Sequence, residues 1–237
     1  MKIKIIASSF WAIVFAFFSY TEIKAQQYDY VIKGATVFDG SGKDSVVCDV
    51  AIAADKIVFV GQLKNGYTAK STIEGKGLYL SPGFIDPHTH YEPLLKNEKA
   101  EERVLARAIM QGVTTVFMGN DGNGPLPIGK ALADFEKNGI GPNAAYFVGH
   151  NQVRKTVLGE KNVQPTAAQL NEMEVLVAQG MKDGAFGIST GLFYTPGNFA
   201  RTEEVIALSK VAAQYGGTYD THPRDEGSQN VGVINST

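Results

Sequence analysis

The stretch Ser81-Pro82-Gly83-Phe84-Ile85-Asp86-Pro87-His88-Thr89-His90 decides how the rest of the chain is read. It runs from turn residues into an apolar strand and then into five residues rich in groups that bind ions. Successive side chains of a strand point to opposite faces, so positions two apart share one face. A strand over Phe84–His90 therefore brings the imidazoles of His88 and His90 to the same side, where both can converge on one ion. Asp86 lies one step earlier on that face, placed to orient a ligand or to stabilise the turn. An isolated His-x-His is a weak signal. An abrupt Asp-Pro-His-Thr-His closing an otherwise apolar run is a stronger one, and it points to a metal.

Downstream of this stretch, strands alternate with helices. After Phe84–His90 the pattern predicts a helix over Glu98–Gln111 closed by Gly112, a strand over Val113–Gly119, and a helix over Ile128–Lys137. It continues with a strand over Ala144–Gly149, a helix over Thr166–Lys182 capped by Thr166, and a strand over Gly184–Thr190. Thr202 is read as the cap of a helix over Glu203–Tyr215, whose Glu203 and Glu204 suit the positive helix end, and Gly217–His222 is the fifth strand. Such alternation implies a parallel sheet, with polar and Gly-rich residues gathered after each strand. In a (β/α)8 TIM barrel those carboxyl-end loops build the active site. A closed barrel needs about eight strands, so five candidates give an α/β barrel expected to be incomplete within this chain.

Upstream, the rhythm is different. Tyr30–Val37, Val46–Ala53 and Lys56–Gly61 carry apolar and β-branched residues between turn signals such as Asp39-Gly40-Ser41-Gly42 and Lys64-Asn65-Gly66. These predict a small antiparallel β unit. The single Cys48, among Val46, Val47 and Val50, reads as a buried strand residue and cannot form an internal disulfide. Further upstream, Lys2 and Lys4 precede an apolar run from Ile5 to Phe18, and a short polar stretch leads to Ala25. That order reads as a secretory signal peptide cleaved near Ala25, too short for a spanning anchor. The expected organisation is a signal peptide over 1–25, a β segment over 26–80 and a partial barrel over 81–237, in a protein exported to the periplasm or beyond.

The 237 residues are 44% hydrophobic and 19% charged, which suits a globular protein and excludes a disordered or fibrous one. A net charge of −2 gives no reason to expect nucleic acid or an anionic membrane surface as a partner.

The segment Pro82–His90 resembles the first metal motif of the amidohydrolase superfamily. Three further segments resemble its D-aminoacylase branch, the N-acyl-D-amino-acid deacylases. They are Gly184-Ala185-Phe186-Gly187-Ile188-Ser189-Thr190-Gly191-Leu192-Phe193-Tyr194, Gly149-His150-Asn151-Gln152-Val153-Arg154 and Thr221-His222-Pro223-Arg224-Asp225-Glu226. The resemblance implies a β-sandwich around a metal-bearing barrel, one or two zinc ions, and a small-molecule N-acyl amino acid as substrate. It makes His88, His90 and His222 metal ligands. The branch carries a Cys at the end of strand two, where this chain has Gly119-Asn120-Asp121-Gly122; Asp121 is the residue in that place, its other reading being a turn residue. His150, Arg154, Tyr194 and Arg224 become candidates for holding the substrate. A further His ligand on strand six and a general-base Asp after strand eight are expected beyond Thr237. A cyclic amidase of the dihydroorotase, hydantoinase or dipeptidase kind, and an inactive truncated remnant, remain as alternatives; the Ser189–Tyr194 block favours the deacylase.

Overall fold

The computed structural model describes residues 26–225, so the expected signal peptide and Glu226 lie outside the described residues. The chain divides into two compact units, one running to Pro82 and the other from Gly83.

The first unit is one mixed sheet. β1 (Gln26–Val37) pairs antiparallel with β2 (Val46–Ala53), which pairs antiparallel with β3 (Lys56–Gly61). The sequence reading missed β4 (Tyr67–Glu74), which runs parallel to β1, as does the short β5 (Tyr79–Leu80). The purely antiparallel expectation therefore fails, and the described residues 26–80 form a single sheet rather than two facing layers. The reason lies in β4 itself, where Thr68, Lys70, Ser71 and Glu74 mask the strand pattern and only Tyr67 and Ala69 pack against the buried Tyr28, Val31 and Ala51. β1 shifts register between Ile32 and Ala35, with Gly34 at φ 65°, a conformation costly for a residue with a Cβ. The carboxylate of buried Asp49 accepts the freed Gly34 N–H at 2.9 Å and the Leu63 N–H at 3.0 Å. Cys48 is buried, as its neighbours suggest.

The second unit is α/β. β6 (Phe84–Asp86), β7 (Val113–Met118) and β8 (Asn143–Tyr146) form one parallel sheet, and β9 (Val148–Gly149), β10 (Gly187–Gly191) and β11 (Thr218–His222) a second. Phe147 is the joint between them. Its N–H donates to Met118 O at 2.9 Å, while Phe186 N–H donates to Tyr146 O at 2.9 Å. The segment 143–149 thus turns from one neighbour to the other, and the strands follow one another in chain order.

The helices cover one side. α1 (Glu92–Leu95), α2 (Ala100–Arg103) and α3 (Ala106–Ile109) are single turns. They replace the long helix expected over Glu98–Gln111. Leu105 sits at φ 52° between α2 and α3, and Arg103 O accepts from Gly141 N–H instead of from the next helical turn. The guanidinium of Arg103 meanwhile donates to the carbonyls of Asn97, Glu98, Asn138 and Gly139. α4 (Ile128–Asn138) and α6 (Ala167–Lys182) match their sequence patterns, and Thr166 closes a capping box with Gln169. α7 (Thr202–Gln214) begins one residue earlier than expected: Arg201 is its N-cap, and Thr202 is its first helical residue. α5 (His150–Leu158) starts directly after β9. Between helices and strands lies one apolar core, including Ile128, Phe135, Tyr146, Val148, Met173, Val177, Ile188 and Leu208. No helix among the described residues is long and apolar enough to cross a membrane.

Candidate metal centre

The site gathers at the carboxyl ends of β6, β7, β10 and β11. The regular strand stops at Asp86, so His88 and His90 lie just beyond it rather than within it. Their alternation survives because neighbouring Thr89 is held as a strand residue would be: its N–H donates to Phe117 O at 3.0 Å and its hydroxyl to the same oxygen at 2.6 Å. Thr89 is buried and both histidines point outward, with ring centroids 5.4 Å apart. Asp86 serves the turn, its Oδ1 accepting the His88 N–H at 3.3 Å.

Asp121 comes from the loop after β7. It sits at φ 56° between Gly119 at φ 79° and Gly122 at φ 73°. Asp tolerates this left-handed conformation better than most residues, because its short polar side chain can bond locally. Three neighbours hold the loop there. Ser189 Oγ donates to Gly119 O and accepts the Gly122 N–H at 3.0 Å. Gln152 N–H donates to Gly122 O at 3.1 Å. Gly191 permits the approach, since a Cβ on it would stand 2.1 Å from Asp121 O.

The result is a cluster in which His88, His90 and Asp121 each offer one ligand atom, all within 4.8 Å of one another. Asp121 Oδ1 lies 3.5 Å from His88 Nε2, and Oδ2 lies 3.2 Å from His90 Nε2. Asp121 Oδ1 is buried with no hydrogen-bond partner, a costly state for a carboxylate oxygen unless something cationic sits against it. Two imidazoles and one carboxylate are a donor set that zinc accepts. The residues present fit a metal ion.

His222, at the end of β11, is outside that cluster. Its ring packs edge-on to Tyr194 at 4.8 Å and beside Phe193 at 5.6 Å, with Nδ1 3.1 Å from Pro223 O. Of the candidate substrate residues, Tyr194 presents a partly exposed ring beside His222. Arg224 is turned to backbone, donating to Asn198 O at 3.3 Å and Ala200 O at 2.6 Å. His150 and Arg154 depart from the expected arrangement. Both are fully buried, and one carboxylate, Glu204, takes His150 Nε2 at 2.8 Å on one oxygen and Arg154 on the other. Arg154 also donates to Val163 O. These two side chains tie α5 to α7 and to the following loop, and no surface is left on them for a substrate to touch.

Two residues that sequence reasoning passed over also belong here. Asn120 Nδ2 donates to Pro87 O at 3.1 Å and to Asp220 Oδ2 at 3.1 Å, and its Oδ1 accepts the Thr89 N–H at 3.3 Å. Asp220 Oδ1 lies 3.6 Å from His88 Nδ1. Asp220 is two residues before His222 on β11, so strand alternation alone puts both on one face.

No family model matches the sequence. Among curated proteins, the D-aminoacylase of Alcaligenes xylosoxydans xylosoxydans is 33% identical over 236 residues, covering 90% of this chain and 48% of that protein. The N-acyl-D-aspartate deacylase of the same organism is 32% identical, covering 84% of this chain and 44% of its own length. Among solved structures, a D-aminoacylase crystal structure superposes with a TM-score of 0.77 at 34% identity, over 89% of this chain and 48% of that one. The N-acyl-D-glutamate deacylase of Bordetella bronchiseptica, complexed with zinc and a phosphonate inhibitor, gives a TM-score of 0.81 at 27% identity over the same shares. A D-hydantoinase from a Bacillus species gives 0.55 at 20% identity, a likeness of fold alone. The chain spans about half the length of the curated relatives it matches.

Proposed function

The chain belongs to the D-aminoacylase family of amidohydrolases, and from that premise we propose that it serves metal-dependent hydrolysis of the N-acyl bond of D-amino acids. The parallel strands β6 to β11 then form part of a (β/α)8 barrel, and residues 26–80 part of a β-sandwich. Export through the leader read at residues 1–25 completes the proposal.

His88, His90 and Asp121 are the residues that would hold zinc, with His222 joining from β11. The single observation that carries this reading is the Asp121 carboxylate set against two imidazoles, with its Oδ1 buried and without a hydrogen-bond partner. Zinc bound there supplies a water of lowered pKa and a Lewis acid for the acyl carbonyl. The chain's own part is to fix the donors: Ser189 and Gly191 set the Asp121 loop, and Thr89 sets the two histidines. Tyr194 is proposed to meet the substrate's amino-acid end, supported by its partly exposed ring next to His222. Small N-acylated amino acids are the substrate class, with no part for nucleic acid.

The experiment is turnover of N-acetyl-D-amino acids against cyclic amides by the full protein, with zinc content measured alongside. Hydrolysis of the N-acetyl-D-amino acids with bound zinc is expected. Activity confined to cyclic amides would sink the deacylase reading.

A further inference from the structure

His88 stands between two carboxylates, with Nε2 3.5 Å from Asp121 Oδ1 and Nδ1 3.6 Å from Asp220 Oδ1. A neutral imidazole carries one proton, and the nitrogen that binds a metal must be the one without it. Asp121 also faces His90 Nε2 at 3.2 Å, so its carboxylate is shared between two rings. Asp220 is held from its other side: its Oδ2 accepts from Asn120 Nδ2 at 3.1 Å, and its Oδ1 is turned to His88. The same Asn120 grips Pro87 O and the Thr89 N–H, so the carboxylate and the backbone on either side of His88 are held by one amide.

We propose that Asp220 is a positioning residue that faces the Nδ1–H of His88 when Nε2 serves as a metal ligand, and so fixes the ring toward Asp121. The gap of 3.6 Å is slightly beyond hydrogen-bond length, yet the negative charge still favours an N–H on the nitrogen facing it. The arrangement is the carboxylate–histidine–metal relay, in which the outer carboxylate fixes the tautomer and ring orientation of the ligand. Its purpose rests on the metal reading above; its geometry does not. Asp220 touches no reacting atom, and it acts through His88 alone.

The test uses the full protein labelled with 15N at histidine. Imidazole nitrogen shifts are recorded with and without zinc, and zinc affinity is measured by competition with a chelator. In the zinc-loaded parent protein His88 is expected as the Nδ1–H tautomer, with Nδ1–H turned to Asp220. Asp220→Ala is expected to move the His88 Nδ1 shift and to weaken zinc binding on the order of 10–100-fold, the usual loss when an outer partner is removed. If Asp220→Ala does not fold, Asp220→Ser, whose hydroxyl is too short to reach Nδ1, is read in the same way. Unchanged shifts and unchanged zinc affinity in the variant would overturn the proposal. A parent protein that takes up no zinc would defeat the metal reading instead. The metal-free shifts would still decide the contact: a His88 Nδ1 shift that moves on Asp220→Ala supports it, and identical shifts in parent and variant overturn it.

Discussion

Glu204 Oε1 lies 2.8 Å from His150 Nε2, with neither side chain open to solvent, and the second oxygen of the same carboxylate takes Arg154. One acidic residue in the first turn of α7 therefore pairs with the guanidinium of Arg154 and orders the imidazole of His150, both on α5. Removing one member of a buried ionic group leaves the others uncompensated, at a cost of about 3–5 kcal/mol. Glu204→Ala is accordingly expected to lose that much stability in urea unfolding. A loss below about 1 kcal/mol would mean that the two buried side chains find other partners.

The same carboxylate gives a pH dependence. Burial pushes the Glu204 pKa up, but hydrogen bonds from His150 and Arg154 and their charges outweigh it, leaving the pKa below the ordinary 4.5. A group lowered in the folded state contributes stability that is fully present above its unfolded pKa and fades as pH falls through the folded one. Unfolding free energy is expected to decline as the pH drops below 4.5, and the decline to be shallower in Glu204→Gln. Parallel pH curves for the two proteins would contradict this.

Ser189 is expected to matter to the metal site without reaching it. Its hydroxyl satisfies the Gly122 N–H and the Gly119 carbonyl on either side of Asp121. Ser189→Ala leaves both groups buried and unsatisfied, which costs roughly 1–3 kcal/mol, and frees the loop that aims Asp121. Thermal unfolding and chelator competition should both register the change. A stability loss with zinc affinity intact would separate the loop's structural role from its aim.

Thr166→Ala removes a capping box made with Gln169, and a loss of about 1 kcal/mol is expected in urea unfolding. No loss would mean that α6 is held by its packing alone.

The helix starting at Thr166 also marks what the sequence could reveal. Its cap, its length and its apolar spacing agree, so α6 was legible, as were α4 and the strands β2 and β3. Thr202 carried the same cap signal, yet Arg201 holds that position and Thr202 lies inside the helix. Glu203 and Glu204 both suited the positive helix end, and only the fold shows that Glu204 turns inward to His150. The split of α2 and α3 was equally hidden, because it depends on Gly141 reaching the Arg103 carbonyl from 38 positions downstream. Local signals report local structure; a carboxylate recruited across 54 residues leaves no periodicity to find. The metal cluster lies between these cases. His88 and His90 declare themselves by spacing, and Asp121 was found only through the resemblance, as the residue standing where the D-aminoacylase branch carries a Cys. Asp220, two residues before His222, had a signal in strand alternation that was not used.

Asp121 offers the most direct test of the cluster, because its two readings predict opposite behaviour. As a turn residue it needs only to tolerate φ 56°, which Asn does as well as Asp. As a ligand it needs a negative oxygen. Asp121→Asn should therefore fold like the parent while zinc affinity falls at least about tenfold, the lower end of what even an outer partner contributes. Asp121→Cys reverses the balance. A thiol-bearing side chain strains the left-handed backbone by roughly 1–2 kcal/mol, but its thiolate is a zinc ligand in its own right. That variant should be less stable without metal and should recover stability as zinc is added, measured by unfolding at several zinc concentrations. Full zinc affinity in Asp121→Asn would leave Asp121 as a turn residue and remove it from the site.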